Sequence, residues 1–350
     1  MTDFPLALTF SDVLLEPQRS RVSSRSQISL KTHLTPKIAI DFPLIAENMD
    51  CVTGVNLAVS MAKYGGTSFY PRFAPPPIQA AEIKQILDAG FLTIPAVGIK
   101  PLEHARVDLL YSLGIRAITI DIAHGHQESC LTFLQDVKKR YPDLEIIAGV
   151  VGTYNGAYDL YDAGADAVRV GVGPGSICTT RMTTGCGVPQ ITAILETAKA
   201  AREFNRPLIA DGGTKNSGDI VKALAAGADA ISTGFLLAGA DESAGKPVEV
   251  NGQPYKTYNG STSKTEKLSQ LAQNPADKSA EYTSYVEGIE GLVPSTGPIA
   301  DTLQKLEMGI RSGLSYCGAF NIPELHQKAK FLRVTPSITH ENLNRGIFSP

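Results

Sequence analysis

The chain has 350 residues, 43% of them hydrophobic and 19% charged, with a formal net charge of −3 and a pI near 6.1. That is enough apolar material for one barrel-sized domain or two smaller ones. The weak negative balance argues against nucleic acid or an anionic membrane as partner, and no apolar run approaches the roughly 18 residues of a membrane span.

The N-terminus, from Met1 to Pro5, has no charged segment followed by an apolar one, so no signal peptide is expected. Residues 1–43 are polar and turn-rich except for 6–15. A repeating unit follows, in which short apolar runs alternate with amphipathic helical stretches, the pattern of βα units building a parallel sheet. The strands expected are 44–48, 66–70, 93–99, 117–121, 145–152, 167–173, 207–213 and 230–234. Before four of them the chain reads Asp88-Ala89-Gly90, Ser112-Leu113-Gly114, Asp162-Ala163-Gly164 and Ala225-Ala226-Gly227. Glycine just past a helix and a turn straight into a strand is the expected αβ connection. Eight such units in about 200 residues favour an α/β fold of the closed (β/α)8 TIM-barrel type, with a doubly wound sheet as the alternative.

Residues 239–295 break the rhythm. They are rich in Gly, Ser, Thr, Lys and Asn, and a polar segment of this length is expected to be a functional lid or to lack regular structure. Regularity returns at 299–312, and the tail from Thr335 to Pro350 reads as extended or loosely docked. The expectation is therefore one barrel domain across 1–350, with an N-terminal extension and a mobile lid.

A barrel places its active site at the C-terminal ends of the strands. Polar residues gather there: Glu47 and Asn48, Asp121, the stretch 173–180, Asp211-Gly212-Gly213 and Gly234. Ordinary turn chemistry explains any one of these, but less readily all of them at one end. The richest stretch is Gly171-Val172-Gly173-Pro174-Gly175-Ser176-Ile177-Cys178-Thr179-Thr180-Arg181. Its glycines let backbone approach a ligand, and bare amides beside a serine suit a phosphate. The five cysteines are scattered without CxxC spacing, so no zinc site or disulfide framework is indicated and a reducing, cytoplasmic location is expected. Cys51, Cys130 and Cys317 read as small buried hydrophobes. Cys178, beside the glycine loop and Arg181, reads either as a nucleophile or as one more buried thiol.

Asp211 can accept both hydroxyls of a ribose while Gly212 and Gly213 turn amides towards a phosphate, with Gly234 adding a further amide; a tight βα turn is the alternative. Asp121, His124 and His126 lie close in sequence, but no further ligand cluster completes a metal site. Glu287, at the far end of the polar segment, can relay a proton or belong to a solvated acidic loop.

Several stretches together resemble the inosine-monophosphate dehydrogenase and guanosine-monophosphate reductase family over essentially the whole chain. They are residues 8–15 (LTFSDVLL), Ala46-Glu47-Asn48-Met49-Asp50, Gly173 to Thr180, Ala210-Asp211-Gly212-Gly213 and Tyr255-Lys256-Thr257-Tyr258-Asn259-Gly260. The resemblance implies a homotetrameric barrel enzyme acting on a purine mononucleotide, GMP or IMP, with a nicotinamide cofactor. It implies that Cys178 attacks purine C2, and that Thr180 and Glu287 handle protons around the leaving ammonia or water. Ser176, Gly212, Gly213, Gly234 and Tyr258 resemble the phosphate set, with Asp211 on the ribose; Asn48, Gly260, Ser261 and Thr262 complete the substrate set. Arg72, Asp121, Ile122 and Ala123 resemble the cofactor side, and the carbonyls of Gly173, Gly175 and Cys178 a potassium site.

Two reactions are compatible with this resemblance. The dehydrogenase oxidises IMP to XMP with NAD and hydrolyses the adduct; the reductase expels ammonia from GMP and reduces the adduct with NADPH. Dehydrogenases of the family usually carry an Arg-Tyr pair on the lid, whereas no arginine lies between Ser261 and Val286, and Tyr282 follows Glu281. Residues 71–95 leave no room for the regulatory CBS domain pair. The segments 120–126 (IDIAHGH) and 23–26 (SSRS), with Arg72, also resemble reductases. The segments 286–291 (VEGIEG) and 187–193 (GVPQITA) instead resemble bacterial dehydrogenases, and Ser261 and Phe235 depart from the family pattern. The sequence reading is a GMP reductase using NADPH and potassium. An IMP dehydrogenase without regulatory domains is the alternative, and a non-catalytic nucleotide-binding barrel a third reading.

Overall fold

A computed structural model of the chain describes residues 4–273 and 283–342. The eight apolar runs form eight parallel strands: β1 (Leu44–Ala46), β2 (Thr67–Tyr70), β3 (Ile94–Val97), β4 (Ala117–Asp121), β5 (Glu145–Val151), β6 (Ala167–Val170), β7 (Leu208–Asp211) and β8 (Ala230–Thr233). They pair in sequence order, and β8 closes onto β1 with Ile231 opposite Leu44 and Thr233 opposite Ala46. The barrel alternative therefore holds and the doubly wound sheet does not. Most observed strands are a residue or more shorter than the apolar runs, because the run ends turn out of the barrel wall to become loop.

The helices between the strands are α1 (Val55–Lys63), α2 (Pro76–Asp88), α3 (Glu103–Ser112), α4 (Glu128–Arg140), α5 (Tyr154–Asp162), α6 (Gln190–Phe204) and α7 (Ser217–Ala225), and α8 (Ile299–Tyr316) follows the lid. Each lays one stripe on the barrel; α4 buries Cys130, Phe133, Leu134 and Val137 at helical spacing. Starts are set locally. Thr153 accepts the Gly156 amide at 3.2 Å, Asn216 accepts the Asp219 amide at 3.0 Å, and α2 opens on a proline. The glycines of the sequence repeat end α5 and α7 in the left-handed region, with φ of +108° at Gly164 and +115° at Gly227.

Inside the barrel one side chain from each strand forms a closed layer: Ile45, Phe69, Ile94, Ala117, Ile147, Ala167, Ile209 and Ala230. Leu34 and Ile40 join this layer, and they come from the N-terminal extension. There a hairpin of Thr32–His33 and Ala39–Ile40 caps the N-terminal end of the barrel. The Thr32 hydroxyl donates to the Asp229 carbonyl at 2.8 Å, and the Lys37 amide donates to the Glu145 carboxylate at 3.2 Å. Each large side chain so buried contributes roughly 1.5–3 kcal/mol relative to exposure. The extension also supplies Val13–Leu15, which pairs antiparallel with Phe331–Arg333.

Of the two expectations for the segment after β8, a lid or a stretch without regular structure, the second does not hold for its described residues. The segment forms an antiparallel sheet of β9 (Pro247–Val250), β10 (Gln253–Asn259) and β11 (Glu290–Pro294), with a helix at Lys264–Gln273. Both faces of β9 are largely exposed, which leaves no apolar alternation to read. Lys256 of β10 is 6% exposed; its ammonium donates to the carbonyls of Ala240, Asp241 and Ser243 at 2.8, 3.1 and 2.7 Å. This buried cation fastens the lid sheet to the loop after β8. In the tail, Ile338–Glu341 forms a single helical turn.

Candidate active site

The loop leaving β6 crosses the C-terminal mouth of the barrel. Gly171 has no room there for a side chain: a Cβ on it would lie 2.2 Å from the Asp211 carbonyl oxygen. Gly173 turns through φ +73°. Arg181 braces the loop from beneath, its Nε donating to the Val172 carbonyl at 3.0 Å and its Nη2 to that of Val188 at 2.6 Å. Its hydrogen bonds thus go to loop carbonyls, and this fixes the arc that presents Cys178.

Cys178 is half-buried. Its Sγ donates to Thr180 Oγ1 at 3.2 Å, and the Thr180 hydroxyl donates to Glu287 Oε2 at 2.6 Å. The lid delivers Glu287. The Thr179 amide donates to the Glu287 carbonyl at 3.1 Å and the Ile289 amide to that of Ile177 at 3.0 Å, so lid and loop join as a short antiparallel ladder. The other three non-exposed thiols are buried in the core. Burial pushes Cys51 up to about 12, Cys130 up to about 11, and raises Cys317, so these three are inert at neutral pH.

Cys178 opens into a cleft of about 260 Å³. The structure brings Asn48, Gly173, Gly175, Thr180, Asp211, Gly212, Gly234, Tyr258, Gly260, Ser261, Thr262 and Glu287 to its walls, with Arg72, Asp121, Ile122 and Ala123 on one side. Ser176 and Gly213 line a narrower recess shared with Gly212, Gly234 and Tyr258, together with Thr214, Lys215 and Phe235. The residues that the family resemblance assigned to substrate, cofactor, cation and proton handling thus meet at one mouth. Three polar side-chain atoms there are buried with no hydrogen-bond partner among the described residues, Asn48 Oδ1, Thr214 Oγ1 and Arg72 Nε; Arg72 has an ion pair with Asp121, and the other two are in the state expected of groups that wait for a ligand. Tyr258 is buried and hydrogen-bonded to Ser176; burial raises its hydroxyl pKa, so it stays a donor.

The cleft floor holds a group not singled out from sequence. Arg169 of β6 is 1% exposed, and its guanidinium reaches three carboxylates. Nη2 lies 2.5 Å from Glu47 and 2.6 Å from Asp211, and Nη1 lies 3.2 Å from Asp121. Its plane also rests on the Phe69 ring, 4.6 Å from the centroid. Arg72 meets Asp121 from the outer side at 3.4 Å. Burial holds the Asp211 carboxyl well above the usual carboxylate range, Arg169 pulls it down, and the charge of Glu47 pushes it up. The available signal was an arginine between Val168 and Val170 in an otherwise apolar strand.

Two lid residues were also missed. Lys267, 7% exposed, donates to the Tyr285 carbonyl and lies 5.8 Å from the Tyr285 ring centroid. Burial lowers its pKa and the charge of Glu287 raises it. Tyr285 hydrogen-bonds Glu287, which raises the tyrosine pKa and keeps it a donor. His126 pairs with Asp159 at 2.7 Å, and among the described residues no cluster of three or more His, Cys, Asp or Glu could hold a metal. No described helix is long and apolar enough to cross a membrane.

A closed barrel whose mouth carries a half-buried cysteine, a hydrogen-bonded threonine–glutamate pair and a polar cleft has the architecture of a (β/α)8 enzyme. The family profile described as "IMP dehydrogenase / GMP reductase domain" matches residues 7–344, and the chain belongs to that family. It is 33% identical to the inosine-5'-monophosphate dehydrogenase of Nitrosopumilus maritimus over an alignment of 460 positions covering 95% of this chain and 97% of that one. It is 30% identical to the GMP reductase of Leishmania major over 484 positions covering 98% and 97%. A crystal structure of a cysteine-to-alanine variant of GMP reductase from Trypanosoma brucei, in complex with guanosine 5'-monophosphate, superposes with a TM-score of 0.92. It shares 27% identity, with 99% of both chains covered. The family's dehydrogenases and reductases are oxidoreductases of purine nucleotides.

Proposed function

We propose that the protein is a GMP reductase, converting GMP to IMP and ammonia with NADPH through a covalent bond between Cys178 and purine C2. The observation that carries this reading is the chain of hydrogen bonds from Cys178 through Thr180 to Glu287. It places an acid–base group two bonds from a nucleophile. The lid segment between Ser261 and Val286 supplies no guanidinium to activate water; its Glu281 and Tyr282 lie outside the described residues.

In this reading Ser176, Gly212, Gly213, Gly234 and Tyr258 hold the phosphate in the narrow recess, and Asp211 takes the ribose. Asn48 Oδ1, lacking a partner, faces the ligand, with Gly260, Ser261 and Thr262 closing over it. Cys178 Sγ bonds to C2, the bond from C2 to the exocyclic nitrogen breaks, and ammonia departs with its proton handled by Thr180 and Glu287. A bound nicotinamide cofactor would supply the hydride that C2 requires, and the Cys178 sulfur would then leave as thiolate. Arg72, Asp121, Ile122 and Ala123 fit such a cofactor: Ile122 and Ala123 offer an apolar bed and the Asp121 carboxylate a ribose contact. The carbonyls of Gly173 and Cys178 accept no hydrogen bond among the described residues. With that of Gly175 they fit a hard monovalent cation such as potassium. Barrel and lid together act as one catalytic domain, without a CBS pair, assembled as a cytoplasmic homotetramer.

A second reading is supported by Lys267, whose buried ammonium beside Tyr285 and Glu287 gives the lid a cation after all. In that reading the protein is an IMP dehydrogenase using NAD, with Glu287 activating water. One experiment separates the two: purified protein with potassium, supplied either GMP and NADPH or IMP and NAD, followed at the reduced-nicotinamide absorbance. Turnover with GMP and NADPH is expected; turnover only with IMP and NAD assigns the second reading. Cys178→Ala abolishes either activity while retaining nucleotide binding, and light scattering tests the tetramer.

A further inference from the structure

We propose that Glu47 and Asp211 form a carboxyl pair holding one proton that recognises the sugar diol of the nucleotide, making Glu47 a specificity-determining residue. This rests on the nucleotide reading above and names a residue which that reading leaves unassigned.

Glu47 stands at the end of β1, where backbone turns out of the barrel, and lines the same cleft as Asp211. Its side chain is 14% exposed, as is that of Asp211. The groups facing it come from every neighbouring wall: Arg169 from β6, Asp211 from β7, Ser232 from β8 and Tyr258 from the lid. Arg169 Nη2 holds Glu47 Oε1 at 2.5 Å, and the Ser232 hydroxyl donates to Oε2. Arg169 also holds a single oxygen of Asp211, through Nε at 3.0 Å and Nη2 at 2.6 Å. One guanidinium nitrogen thus holds an oxygen of each carboxyl group, at 2.5 Å for Glu47 and 2.6 Å for Asp211, and brings the two groups side by side.

Two carboxylates held on one nitrogen repel each other when both are ionised, which favours the state in which one keeps its proton. The charge count agrees. Arg169 and Arg72 bring two positive charges to Glu47, Asp121 and Asp211, so one retained proton leaves this buried cluster neutral, the arrangement with the smallest desolvation cost. A pair with one proton offers a donor and acceptors side by side. A vicinal diol, each hydroxyl both donor and acceptor, is the complementary partner. A lone ionised aspartate would only accept.

The test is calorimetric binding of GMP and of its 2′-deoxy and 3′-deoxy forms to wild type, Glu47→Ala and Glu47→Gln, across pH, with circular dichroism as the check on folding. Wild type is expected to favour GMP over at least one deoxy form by about tenfold or more, with a pH-dependent affinity for GMP. Glu47→Ala is expected to bring the ratio to within about threefold. Glu47→Gln removes the like charge that helps hold the proton on Asp211 and is expected to move the pH dependence to lower pH, while its amide keeps part of the preference. Should Glu47→Ala not fold, Glu47→Gln carries the test alone. A wild-type ratio and pH dependence in the variants, or no preference in wild type, overturns the proposal. Absence of any GMP binding by wild type overturns the nucleotide reading itself and this inference with it.

Discussion

Thr180 and Glu287 are separated by 107 residues in the chain, yet the threonine hydroxyl donates to the glutamate carboxylate across 2.6 Å. The first belongs to the loop after β6 and the second to the lid. The contact forms only because main-chain bonds at Thr179 and Ile289 stitch lid to loop. The Thr180–Glu287 contact is therefore a property of the assembled lid and loop and of neither segment alone.

It follows that Thr180→Val and Glu287→Gln each lower turnover by about 10²–10⁴-fold, the usual worth of a positioned proton-transfer group. Nucleotide affinity should change far less, because these groups face the reacting atoms and the phosphate recess lies apart from them. Steady-state rates with calorimetric binding constants check both halves. A loss of affinity equal to the loss of rate would assign the pair to binding.

Lys256 predicts a failure of a different kind. Its ammonium satisfies three carbonyls behind the lid, and Lys256→Met leaves them without that donor. A loss of about 3 kcal/mol is expected in urea unfolding. Hydrogen exchange should quicken in β9 and β10 before it does in the barrel strands, and turnover should fall with it. Uniform exchange across barrel and lid would contradict the anchor.

Asp211 sets a pH dependence whose sign can be worked out. Its carboxyl titrates well above the usual carboxylate range in the folded protein because burial disfavours its charge. Between the unfolded and folded values the folded state holds the extra proton, so this contribution is fully present below the unfolded value and is lost as pH rises through the folded one. The nucleotide-free protein should therefore lose stability with rising pH over that window more steeply than Asp211→Asn, which has no proton to lose. Chemical unfolding of both proteins at several pH values checks it. Parallel slopes would show that the proton is absent.

Much of this was legible in the chain, for a physical reason. Barrel strands are buried on both sides and read as continuous apolar runs, and each αβ turn needs its glycine, so the eight strands and the residues at their ends could be placed from pattern alone. The lid sheet could not. Its strands pair at the surface, and what fixes it is a buried lysine, main-chain bonds to the neighbouring loops and two core side chains, Tyr258 and Val293, too few to read as an apolar face. Arg169 was hidden for the opposite reason. It sits among Val168, Val170 and other barrel residues, and nothing local says that three carboxylates from three other strands converge on it. Glu47 stood in plain view as a strand-end polar residue, but its place beside Asp211 exists only once β8 closes onto β1.

The hairpin that carries Leu34 and Ile40 into the barrel floor has a bearing on traffic. With the far end stoppered by packed side chains, the barrel is a cup and not a conduit. Whatever reaches Cys178 must arrive over the rim where the lid sits, and every product must depart across the same rim. The stopper, at the opposite end from Cys178, thereby confines traffic to the rim that β10 and β11 border.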